Sequence, residues 1–138
     1  MHTLWLANDF ISNYNYFMNS LTIAVPIPPP ALAHNGRIHW RKRAALVKAC
    51  RASSCLLAKA ALAGKPAPNW GKASVKVVAH FPTLSFPDPL NLLDRCKAVL
   101  DGFEDAKIIF NDKDLWPERP EMHKDKDHPR LEITITPE

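Results

Sequence analysis

The sequence predicts a small α+β domain in which one mixed β-sheet packs with two main helices. Three features point there: apolar alternation with period two at residues 21–27, 74–81 and 131–136, a long helical stretch at 40–63, and a second helical stretch ending at Asp105. A chain of 138 residues fits a single domain, and 46% hydrophobic against 23% charged residues excludes a disordered tail. Such a domain buries about two thirds of the surface of its unfolded chain. It needs no metal or disulfide merely to fold, so a metal here would speak for function.

Residues 1–20, rich in Asn and aromatics without a clear period, read as an N-terminal extension, and residues 21–138 as the folded domain. Leu21, Ile23, Val25 and Ile27 form one side of a half-buried strand, which Pro26 confines to an edge or a strand end. Pro28, Pro29 and Pro30 impose an extended segment, and Asn35-Gly36 signals a turn. From Trp40 to Ala63 the chain is rich in Ala, Leu, Lys and Arg, with Leu46, Cys50, Ser53 and Leu57 on one face, Val47 and Ala61 beside it, and Gly64 and Pro66 as the stop. Val75, Val77, Ala79 and Phe81 mark the inner side of the next strand. The second helix starts at Leu92 or Leu93 and buries Val99, Leu100 and Phe103. A short strand at 107–110, a charged loop at 111–127 and a final strand at 131–136 complete the order.

Charge is unevenly spread. Residues 1–87 hold ten Lys/Arg and one acid, whereas residues 88–138 hold eight Lys/Arg and thirteen acids. A basic half and an acidic half suit a protein that grips phosphates with one region and a metal with the other. The three cysteines, Cys50, Cys55 and Cys96, form no CxxC pair, which argues against a disulfide framework or a zinc knuckle and fits a reducing, cytoplasmic setting. No secretory signal or membrane span is read, because Asn8 and Asp9 interrupt the apolar run near the start. The six histidines show no zinc spacing; His80 reads as structural, and His123 and His128 receive no role.

The chemistry-bearing stretch runs from Asp88 to Asp114. Asp88 sits in a Pro-rich turn ahead of the second helix, and Asp112 follows the short return strand. A helix of about twelve residues covers roughly 18 Å, and four or five extended residues cover roughly 15 Å back. Asp88 and Asp112 are therefore expected to meet near the helix N-terminus, while Lys97 and Asp101, four apart, share a helical face. Converging carboxylates suit magnesium, which takes one or two of them plus waters and phosphate oxygens. Read singly, each aspartate fits a helix cap or a solvated acid better than a metal ligand; Asp94 fits a first-turn acid, and Asp114 and Asp125 read as solvated.

The basic stretch, residues 31–51, carries Arg37, Arg41, Lys42, Arg43, Lys48 and Arg51 without an acid, with His34, His39 and Trp40 interleaved. Such a cluster suits phosphate contacts. Arg37, Arg41 and Lys48 are the first candidates, and His34 and His39 sit within reach of the same phosphates. Trp40 reads as a core plug in preference to a base-stacking wedge.

Taken together, these residues resemble the RusA family of Holliday-junction resolvases, especially its shorter phage-borne relatives. The resemblance spans residues 21–136 and rests on a strand ending in prolines, the following Asn35, Arg37 and His39-Trp40-Arg41, the motif Asp88-x-x-Asn91-Leu92, Lys97 with Asp101 four later, and Asn111-Asp112. It implies magnesium-dependent cleavage of branched DNA, above all four-way junctions, by a homodimer, because a twofold assembly supplies two symmetric nicks. It implies catalytic roles for Asp88, Lys97, Asp101 and Asp112, with metal on Asp88 and Asp112, and nucleic-acid contacts from Asn35, Arg37, His39, Arg41, Arg43, Lys48 and Arg51. Two departures stand out. Family members carry a second Asp two residues after the first, where this chain has Leu90, and the stretch from Asn91 to Lys97 is about one helical turn longer. Asp94, in that extra turn, is the expected replacement ligand. If nothing replaces Leu90, the protein would bind branched or single-stranded nucleic acid without cutting it. A third reading is an interaction protein whose acidic loops meet a basic partner.

Overall fold

A computed structural model describes residues 19–34 and 36–138; the expectations for residues 1–18 and for Asn35 lie outside the described residues. The element order is β1 (Leu21–Val25), a 3-10 turn (Pro30–Leu32), α1 (Trp40–Ala61), β2 (Ala73–Phe81), α2 (Pro89–Arg95), α3 (Lys97–Asp105), a 3-10 turn (Asp112–Asp114), β3 (Leu115–Pro117), β4 (Glu121–Lys124) and β5 (Arg130–Pro137). This is the α+β architecture that the sequence predicts, a five-stranded sheet with helices in one small domain.

The strand order is β1-β5-β2-β3, with β4 also on β2. β5 runs antiparallel to both β1 and β2, whereas β3 and β4 run parallel to β2, one after the other along its outer edge. Pro26 does follow the end of an edge strand, since among the described residues β1 pairs only with β5. Alternation holds on every long strand: Ile23, Val75, Val77, Ala79, Leu131, Ile133 and Ile135 face a dry interior, with Thr22 and Thr134 hydrogen-bonded across the other side. Leu92, Val99, Phe103, Ile108 and Ile109 close that core from the helical layer.

Four expectations are corrected. The second helix is two helices. Asp88 caps the first, its carboxylate accepting the Leu90 N–H at 2.9 Å, and Pro89 begins it, so helix starts before Leu92; Cys96, at φ −83° and ψ −5°, separates it from the second. Residues 107–110 form a single parallel bridge, Trp70 to Ile109, because Lys107 takes φ 64° and turns the chain. The charged loop holds β3 and β4, which Pro117 and Pro120 obscure in sequence and which an outer edge tolerates. On α1, Ser54 is buried and Ser53 exposed, so the inner face follows Val47, Cys50, Ser54, Ala58 and Ala61. No helix among the described residues is long and apolar enough to cross a membrane.

Candidate functional site

The crossover from β2 to the parallel β3 passes through α2 and α3, and the acidic residues sit along it. Lys97 opens α3 and donates to Asp101 at 3.1 Å, one turn later on the same face. Its ammonium also bonds Asp112, the first residue of the turn that leads into β3. Asn111 holds that turn by accepting the Lys113 N–H at 3.1 Å. Glu104, a turn beyond Asp101, completes a cluster in which Asp101, Glu104 and Asp112 each offer one oxygen within 4.8 Å of the others. The Asp101 and Asp112 side chains are only 20% and 19% exposed, whereas Lys97 is 64% exposed. Lys97 bonds two of these three carboxylates, and the Arg51 guanidinium lies close enough to feel Asp101 and Glu104.

Of the acids singled out in sequence, Lys97 gathers Asp101 and Asp112. Asp88 is outside this cluster: it caps the start of α2, while Asp112 lies along α3, against Lys97, Asp101 and Glu104. Asp94 accepts from the His34 backbone N–H and lies 3.1 Å from His34 Nδ1, so its oxygen Oδ2 is engaged there. It still lines the same cleft as Lys97 and Asp101. Leu90 is 76% exposed and offers no oxygen. Glu104 was not singled out in sequence, although its three-residue step from Asp101 was the available signal. Asp125 is not free in solvent; Arg130 donates to it at 2.9 Å and holds its carboxyl below the usual range.

The basic segment divides into two groups. Arg43 donates to the carbonyls of Ala31, Leu32 and Ala33 at 2.7, 3.1 and 3.3 Å, fixing the loop ahead of α1. Arg51 makes a two-point ion pair with Asp105, at 2.6 and 2.8 Å. That bond lowers the Asp105 pKa and raises that of Arg51. Both arginines thus have protein partners already, Arg51 in a pair that is open to solvent. His39 caps α1 by accepting the Arg41 N–H at 3.2 Å. Arg37, Arg41, Lys42 and Lys48 are exposed. Arg41 to Arg43 crowd the positive end of a helix with no acid in its first turn, an arrangement that an anion relieves. The expectation that Trp40 plugs the core is overturned, because it is 67% exposed.

The groove beside Trp40, Val47, Lys48 and Arg51 shares Arg43 and Val47 with the cleft that holds Asp94, Lys97 and Asp101. Fold and site together define a one-domain α+β protein in which an acidic cluster adjoins, through Lys97 and Asp101, a cleft beside the cationic helix α1. No family model matches the chain. An uncharacterized protein of Xylella fastidiosa (strain Temecula1 / ATCC 700964) is 36% identical over 90 residues, which cover 64% of this chain and 58% of that protein. The match thus spans less than two thirds of the relative's length.

Proposed function

We propose that the protein is a magnesium-dependent, structure-specific endodeoxyribonuclease of the RusA type, acting on four-way junctions and other branched DNA in recombination and repair. The observation that supports it most is Lys97 between Asp101 and Asp112, with Glu104 beside them, where Lys97 and Asp101 line a cleft next to the cationic helix α1. Hard carboxylate oxygens at this spacing fit magnesium, with Asp101, Glu104 and Asp112 as its ligands. A bound magnesium would supply Lewis acidity and a water of lowered pKa. Lys97 would leave the carboxylates for a phosphate oxygen and steady its charge during displacement. Arg37, Arg41 and Lys48 would hold the backbone on either side, so binding should weaken steeply with salt. Asp88 and Asp94 enter this reading through the family resemblance, and a twofold homodimer in the cytoplasm completes it.

A second reading, junction binding without cleavage, is favoured by Leu90, which leaves the family's second carboxylate position without an oxygen. One assay tests both. Purified protein is mixed with a synthetic four-way junction, with and without magnesium. Paired nicks only with magnesium are expected. A shifted band without cutting selects the binding protein, and neither outcome leaves the protein-interaction reading.

A further inference from the structure

Trp40 combines features that the cleavage reading does not use. It is a large apolar side chain with 67% exposure at the start of a 22-residue helix. Planar groups already gather on it: the His39 ring lies 5.8 Å away at an interplanar angle of 26°, and the Arg41 guanidinium carbon stands 5.2 Å from its ring centroid. From Trp40 the surface of α1 passes Ala44, Val47 and Lys48, and Arg43 and Val47 also line the Lys97–Asp101 cleft. Seven residues of helix separate Trp40 from Val47, about 11 Å along the axis. Among the described residues no acid lines the surface beside Trp40, and Lys48 and the nearby Arg41 are cations without a side-chain ion pair there, so the surface suits an anionic group, while the exposed indole suits a flat, stackable one.

We infer that Trp40 is a stacking platform for an unpaired base of the DNA, held a short way along the groove from the phosphate at Lys97. This rests on the nuclease reading and narrows its substrate to branches that present an unstacked nucleotide. A fully paired arm offers only its backbone, for which Arg41 and Lys48 suffice. Stacking on an aromatic tolerates any base, so the site reads branch form and not sequence.

The test uses the full chain without divalent metal, so that binding is read apart from cutting. Three DNAs are compared: a junction with one unpaired 2-aminopurine at the branch, the same junction fully paired, and a linear duplex. Wild type is expected to quench the unpaired 2-aminopurine and to bind that junction most tightly. Trp40→Ala is expected to weaken that complex about 10-fold or more and to remove the quench, with duplex affinity unchanged and Trp40→Phe close to wild type. Because Trp40 is exposed, unchanged thermal melting of the variant shows that folding is not the cause. Equal affinities of wild type and Trp40→Ala for the unpaired junction overturn the inference. If paired nicks persist with magnesium in that case, the nuclease reading stands alone; if wild type binds none of the three DNAs, both fall.

Discussion

Gly102 packs so closely on α1 that a Cβ built there would stand 2.5 Å from the Arg51 carbonyl oxygen and 2.7 Å from Ser54 Cβ. Backbone contact at this point, next to Asp101, draws the cationic helix beside the acidic cluster. Gly102→Ala gains up to about 1 kcal/mol of helix propensity but forces two helices apart, at a cost of about 1–3 kcal/mol. Net destabilisation is expected in urea unfolding. Equal or greater stability would show that the contact relaxes freely.

Lys97 is exposed, so its ion pairs with Asp101 and Asp112 contribute less than about 1 kcal/mol to folding. Its removal should therefore act on function. Lys97→Met is expected to lower junction nicking about 100-fold or more while changing unfolding little. Full activity in that variant would remove Lys97 from the site.

The Arg51 guanidinium beside Asp105 holds that carboxyl below the usual carboxylate range. A depressed folded-state pKa gives stability that is fully present above the unfolded pKa, about 4, and is lost as pH falls through the folded value. In Arg51→Met the acid limb of stability against pH should flatten, so that wild type loses its advantage only below about pH 4. Parallel curves across that range would contradict this linkage.

Burial pushes the Cys96 thiol up to about 12, whereas Cys50 and Cys55 are only partly buried. Maleimide at neutral pH should modify Cys96 last, and only after denaturant opens the core, as followed by mass spectrometry. Rapid native labelling of Cys96 would show that the α2–α3 junction opens easily.

The sheet was legible in sequence where alternation is long, at β1, β2 and β5, because one face must be dry and the period is two. β3 and β4 were not legible: three and four residues broken by Pro117 and Pro120 carry no period, and only the parallel edge of β2 makes them strands. Lys97 and Asp101 were readable from their spacing alone. The convergence of Asp112 with Asp101 and Glu104 depends on how the chain turns back after α3, at Lys107 with φ 64°, and the break at Cys96 has no glycine or proline marker in the sequence. Arg43 and Arg51 look like phosphate ligands in sequence, since nothing local shows that carbonyls and Asp105 occupy them.

On the proposed reading, Asp101, Glu104 and Asp112 hold one divalent cation. Manganese titration followed by electron paramagnetic resonance tests it without DNA. The expected result is one saturable site in the wild type, lost in Asp101→Asn and Asp112→Asn and weakened in Glu104→Gln. The same binding in all four proteins, or none in the wild type, would contradict it.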